Sequence, residues 1–185
     1  MTQSITLSES ENMTVPTEIV EKFVNAAVLN QPEADSLLEQ YPELKSAQWA
    51  GESPLRFLAI ENYAEAVRYL CKRGWPLDER DEYGTTPLID AVRASAADSV
   101  IALLELGADP NAVSQIDDNA LHCAISAGNI KMIRILLQHG ANPAYTTDLG
   151  ETVFDVIPNK SDKNIAIRTL LLEHGLKAPD AEQHD

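Results

Sequence analysis

Residues 84–91 read Gly-Thr-Thr-Pro-Leu-Ile-Asp-Ala, and variants of this stretch recur at a fixed interval on both sides. Thirty-three residues earlier stands Gly51-Glu52-Ser53-Pro54-Leu55-Arg56. Thirty-three later comes Asp117-Asp118-Asn119-Ala120-Leu121-His122, and another thirty-three on, Gly150-Glu151-Thr152-Val153-Phe154-Asp155. The register holds outward from the motif. Leu70-Cys71, Leu103-Leu104 and Leu136-Leu137 share one offset; Gly74, Gly107 and Gly140 share another. After these glycines come Trp75-Pro76, Ala108-Asp109-Pro110-Asn111 and Ala141-Asn142-Pro143. Agreement at this many offsets identifies an internal repeat, so the chain is a row of similar units.

Each repeated position has a physical use. Ser53, Thr86, Asn119 and Thr152 carry side-chain oxygens suited to the N-cap of a helix. Pro54 and Pro87 follow, where a missing N–H costs nothing. Leu55, Leu88, Leu121 and Phe154 then point inward, joined by Leu58 and the small Ala91 and Ala124, which let paired helices approach closely. Second helices are predicted over Ala64–Lys72, Ala97–Leu106 and Ile130–His139. Their pairs Val67/Leu70, Val100/Leu103 and Ile133/Leu136 keep the i, i+3 spacing of one helical face. Gly74, Gly107 and Gly140 suit the left-handed turn that ends such helices.

A 33-residue unit with an opening like T-P-L-H resembles the ankyrin repeat, a turn followed by two helices. The resemblance covers residues 49–175 and implies an all-α solenoid of stacked helix pairs with projecting turns. The repeats fall at about 49–81, 82–114, 115–147 and 148–175. Residues 15–48 read as a degenerate N-terminal cap: Glu18–Leu29 has helical apolar spacing, and Pro32–Gln40 carries Leu37-Leu38 at the place of the leucine pair. A terminal unit departs from the pattern because one face meets water. In the last unit Pro158 is expected to shorten or distort the first helix, and a helix over Asn164–His174 is expected to close the stack. Residues 1–14 are predicted to be a disordered tail and 176–185 a polar tail.

The composition limits the partners. The chain carries 29 Asp and Glu against 14 Lys and Arg, a net charge of −15. A surface this acidic argues against direct binding of nucleic acid or acidic membranes. It favours a basic protein. The charge is graded: residues 1–65 hold 11 acidic and 3 basic side chains, residues 131–185 hold 8 and 6. The opening residues lack the basic and apolar regions of a secretory signal, and no stretch reaches the length of a membrane span. Cys71 and Cys123 read as buried free thiols in a reducing cytoplasm.

No catalytic, cofactor or metal constellation stands out. His122, His139, His174 and His184 are far apart, and the H-E-x-x-H, P-loop and G-x-S-x-G motifs are absent. The resemblance implies that His122 takes part in hydrogen bonding within the turn. His139 and His174, each before a glycine, suit helix C-termini. The aspartates lack the spacing of a calcium loop. A cryptic small hydrolase is therefore the least favoured reading. Arg68, Lys72 and Arg73 are read as a solvated helix face that puts some positive charge on the back of the stack.

Binding is sought where exposed positions depart from the repeat. The resemblance implies that turn tips and first helices form a concave recognition face, which places the tips at 47–52, 80–85, 113–118 and 146–151. Tyr83, Ile116 and Leu149 coincide in register there, with Trp49 beside the matching position. They form either a stepped apolar ridge for a partner or packing between neighbouring tips. Glu52, Arg80, Glu82, Arg93, Asp118 and Glu151 complete the candidate partner-binding set. Trp75-Pro76 is either a second contact or local packing. With nearly all of the chain in repeats, binding is expected to be its whole function, exercised as a monomer. The more specific alternatives are an acidic immunity or inhibitor protein for a basic toxin or nuclease, and a self-associating scaffold.

Overall fold

The computed structural model describes residues 15–49, 51–116, 118–157 and 162–176, and the two predicted tails lie outside it except for Leu176. Its elements are α1 (Thr17–Leu29), α2 (Gln31–Gln40), a 3-10 turn (Pro42–Lys45), α3 (Pro54–Ile60), α4 (Ala64–Lys72), α5 (Pro87–Arg93), α6 (Ala97–Glu105), α7 (Ala120–Ser126), α8 (Ile130–Gln138) and α9 (Asp162–Glu173). Among the described residues there is no strand, only three isolated antiparallel bridges at the tips. Helix pairs stack in two rows: α3, α5 and α7 in one, with α4 and α6 packed in the other. The terminal elements join them, α1 against α3 and α4, and α9 against α8.

The repeat motif does what its chemistry requires. The side chains of Ser53, Thr86 and Asn119 accept from the backbone N–H of Arg56, Ile89 and His122, and so cap α3, α5 and α7. Leu55, Leu58, Leu88, Ala91, Leu121 and Ala124 are buried between the rows. Each glycine after a second helix has a φ of +87° to +97°, with Gly74 at +89°. A second left-handed position recurs between the helices of a pair, at Asn62, Ser95 and Gly128. Asn62 uses it to span units, its side-chain oxygen accepting from Asp98 and Ser99 N–H at 3.0 Å each, at the start of α6.

The N-terminal pair is firmly joined to the stack. Trp75, buried, stacks on Phe23 of α1 with ring centroids 5.6 Å apart. The Trp75-Pro76 substitution therefore serves local packing. Arg73 pairs with Asp35 of α2 and lies 3.6 Å over the Tyr69 ring. Tyr69 hydroxyl also donates to Asp35 at 2.8 Å. Hydrogen bonds from Arg73 and Tyr69 hold the Asp35 carboxyl below its usual range. Arg68 pairs with Glu105 of the next unit at 2.5 Å. Of Arg68 and Lys72 on α4 and Arg73 at its C-cap, two are thus fastened to carboxylates of neighbouring units, which removes most of the positive charge expected on that face.

The last unit departs most from the repeat. Residues 153–157 form turns and a bend instead of a first helix. Thr152 Oγ1 donates to Asp155, and Asp155 also accepts from Thr152 N–H, so this threonine closes a turn and caps no helix. Val153 and Ile157 are buried while Phe154 is half-buried, the reverse of the inward Phe154 expected from the register. The four residues after Ile157, including Pro158, lie outside the described residues. The cysteines are free and half-buried, less enclosed than expected.

Candidate functional site

The tips are small cages of backbone and short polar side chains. Asp81 Oδ1 accepts from Tyr83 and Thr85 N–H at 3.0 and 2.7 Å. In the next unit Ser114 Oγ accepts from Asp118 N–H, and in the next Thr147 Oγ1 accepts from Glu151 N–H. These three acceptors stand 33 residues apart. The first tip closes through two backbone hydrogen bonds between Trp49 and Glu52, at 2.7 and 3.0 Å.

Neighbouring tips are laced together. Gln115 N–H donates to Tyr83 carbonyl at 2.9 Å. Arg80 Nη1 donates to the carbonyls of Gly84 and Val113, at 2.7 and 2.6 Å. Gly84 has φ +70°, and a Cβ there would stand 3.1 Å from the Gln115 nitrogen. Only glycine lets the second and third tips approach this closely.

Between the first two tips lies a groove of about 630 Å³. Residues 45–48 and 51–53, Arg56 and residues 79–83 line it. Arg56 is buried, and its guanidinium donates to Thr85 carbonyl at 2.7 Å and to Asp81 at 3.0 Å. It also pairs with Asp90 of α5. Ser53 Oγ donates to Glu79. Burial raises the Glu79 carboxyl above its usual range, opposed by the Ser53 hydrogen bond and the charge of Arg56. Arg56 and Glu79 were not singled out by the sequence reading. The available signal was that Arg56 occupies the fourth slot of the motif, held elsewhere by Ile89, His122 and Asp155.

The structure divides the candidate residues into groups. Glu52, Arg80, Glu82 and Tyr83 come together around the groove. Tyr83, Ile116 and Leu149 are 60%, 66% and 87% exposed, so they do not fold onto neighbouring tips. They form a stepped apolar crest. Trp49 does not extend it, because its ring is half-buried and meets Phe57 edge-on at 4.4 Å. Arg93 sits 3.4 Å from Asp118 and 3.7 Å from Asp90, so this pair ties α5 to the third tip. Glu151 is exposed at the fourth tip. Arg80 is committed to lacing.

The other polar groups have structural surroundings. His122 is buried with its ring edge-on to Tyr145 at 5.4 Å. His139 and His174 place Nδ1 2.8 Å from Ile135 and Leu170 carbonyls at their helix ends. Burial pushes the Cys71 thiol up to about 11. Burial and the Asp118 charge raise Cys123 as well. Neither is a thiolate near neutral pH, so neither is poised as a nucleophile. Among the described residues no group of three or more His, Cys, Asp or Glu side chains could hold a metal. No helix among them is long and apolar enough to cross a membrane.

Comparison with known proteins adds two kinds of match. A family model described as ankyrin repeats (3 copies) covers residues 17–114, and one described as ankyrin repeat covers 117–148. Neurogenic locus notch homolog protein 1 of Danio rerio is 33% identical over 120 residues, which is 64% of this chain and 5% of that protein. Probable E3 ubiquitin-protein ligase XBOS34 of Oryza sativa subsp. japonica is 36% identical over 105 residues, 55% of this chain and 20% of the relative. BCL-6 corepressor-like protein 1 of Homo sapiens is 32% identical over 115 residues, 62% of this chain and 6% of the relative. The chain thus spans a fifth or less of the length of these three relatives.

Proposed function

The chain belongs to the ankyrin-repeat family, and from that premise we propose that it is a non-catalytic module that binds another protein through its tips and concave face. The observation that carries this reading is the crest: Tyr83, Ile116 and Leu149 stand exposed and in register, the first two on tips hydrogen-bonded to each other. Rigid presentation matters because a partner then meets an ordered surface and little entropy is lost on this side of the contact. Large apolar side chains at such positions serve as anchors.

The net charge of −15 supports a basic partner, engaged by a monomer. Holding such a partner by its basic surface would block that surface, so inhibition is the simplest consequence. Two free cysteines support a reducing, cytoplasmic setting. Light scattering separates this reading from a self-associating scaffold, which would give a concentration-dependent mass.

The test is affinity capture with the wild-type chain and with Tyr83→Ala and Ile116→Ala. Both variants are expected to keep the wild-type circular dichroism and to weaken binding of the captured protein by about tenfold, the loss of a modest anchor. Unchanged affinity in both variants would remove the crest as the contact.

A further inference from the structure

Asp90 of α5 is shared by two arginines from successive units. Its Oδ2 pairs with Arg56 Nη2, and its Oδ1 lies 3.7 Å from Arg93 Nη1. Beyond Asp90 the two arginines reach in opposite directions. The same Nη2 of Arg56 donates to Asp81 Oδ2 at 3.0 Å, while Arg93 Nη2 stands 3.4 Å from Asp118 Oδ2. The result is one alternating row, Asp81–Arg56–Asp90–Arg93–Asp118, that crosses three units. Its end carboxylates belong to the second and third tips. Asp81 Oδ1 accepts from Tyr83 and Thr85 N–H, and Asp118 N–H donates to Ser114 Oγ. The middle of the row is enclosed, with the Arg56 and Asp90 side chains 8% and 15% exposed, whereas Arg93 and Asp118 are 38% and 42% exposed. Other charges act on the row through space: Glu79 feels Arg56, and Glu52 acts on Asp90, with no ion pair from either glutamate among the described residues. Cys123 Sγ, 3.8 Å from Asp118, is a neutral thiol near neutral pH.

We propose that this row is a relay that couples the third tip to the second: neutralising Asp118 tightens the hold of Arg56 on Asp81, and neutralising Arg93 loosens it. The sign follows from sharing. With Asp118 neutral, Arg93 has Asp90 as its one remaining carboxylate and draws it closer. Asp90 then attracts Arg56 less, and Arg56 turns toward Asp81 about its fixed hydrogen bond to Thr85 carbonyl. With Arg93 neutral, Asp90 has Arg56 to itself and draws it away from Asp81. Enclosure of the middle pair keeps these attractions from being screened as surface pairs are. The outer end is open, so a cation brought to Asp118, or an anion brought to Arg93, has the effect of the matching neutralisation. A second connection joins the same two tips, through the hydrogen bonds of Gln115 and Arg80. That connection transmits with one sign only, because loosening one tip loosens the other. The relay is a property of the chain alone and does not depend on the crest being the contact.

The test is native-state amide exchange at Tyr83 and Thr85, the two N–H groups held by Asp81, in the full 185-residue chain. Wild type is compared with Asp118→Asn, Arg93→Gln and the double variant, all at neutral pH and moderate salt. Asp118→Asn is expected to slow exchange at both amides by about threefold, the low end of coupling within one ion-pair network. Arg93→Gln is expected to speed it by a similar factor. The double variant should match Arg93→Gln, because without Arg93 the third tip has no route to Asp90. Both substitutions lie at partly exposed side chains, and Asp118→Asn tests the relay by itself, since a general loosening of the stack does not slow exchange. Faster exchange in both single variants assigns the coupling to the hydrogen bonds between the tips and overturns the proposal. So does an unchanged rate in either single variant, or an Asp118→Asn effect that persists once Arg93 is removed.

Discussion

Replacing Arg56 by methionine tests whether one buried cation holds the first tip-bearing units together. The guanidinium side chain is 8% exposed, and its partners Asp90 and Asp81 are 15% and 29% exposed. Methionine keeps most of the apolar stem but leaves two carboxylates without their cation and Thr85 carbonyl without its donor. Breaking a buried ion pair costs about 3–5 kcal/mol. Water can reach Asp81 and the rim of Asp90, which places Arg56→Met near the low end, about 3 kcal/mol. In a domain of this size that is close to a 10 °C fall in the unfolding midpoint. The assay is urea unfolding followed by helical circular dichroism, extended to a cycle with Asp90→Asn. Removing both partners should cost less than the sum of the single changes, with a coupling of about 2 kcal/mol. Amide exchange at 81–85 should speed up in Arg56→Met, because Asp81 also anchors that tip. A loss below about 0.5 kcal/mol, or an additive cycle, would refute the reasoning by showing that solvent replaces the guanidinium.

Gly84→Ala should destabilise the stack by about 2 kcal/mol and loosen Gln115 in hydrogen exchange, since it adds a close contact to a left-handed backbone. Gly51→Ala, with φ +87° but nothing within 4 Å, should cost only the backbone term of about 1 kcal/mol in the same denaturation assay. Leu88→Ala and Leu121→Ala, both fully enclosed, should each cost about 2–5 kcal/mol on urea unfolding and weaken adjacent units too. Burial raises the folded pKa of Glu79, so the contribution of this one residue to stability should fall as pH rises from about 4.3 through that folded value. Glu79→Gln keeps the acceptor for Ser53 without the charge. It should match or exceed wild-type stability at pH 7 and lose that advantage near pH 4, as measured by denaturation at several pH values.

Local chemistry was readable wherever it repeats in kind. Ser53, Thr86 and Asn119 are interchangeable caps, and α4 spans the predicted Ala64–Lys72 because Gly74 ends it in the expected geometry. The left-handed set Asn62, Ser95 and Gly128 repeats just as strictly, but its members share a backbone angle and little chemistry, so the pattern is masked. Asp81, Ser114 and Thr147 hide a common acceptor in the same way. The groove depends on a longer link. Arg56 and Asp90 are 34 residues apart, and only stacking of one unit on the next brings them together. Trp75 could not be assigned between surface and interior until Phe23 was in place. Phe154 misled because the register of the earlier units assumes a helix that residues 153–157 do not form.

That missing helix gives the stack a weak end. At the other end, a stacked aromatic pair and the Asp35–Arg73–Tyr69 group clamp the first two helices to the body. At the far end, α9 leans on α8 without a regular first-row helix over 153–157 beneath it, and Ile165 and Leu172 face solvent. Units coupled to nearest neighbours lose structure first where that coupling is weakest. Fraying would therefore travel from α9 toward the centre, and the groove at the first two tips would be the last part of the recognition face to lose its shape.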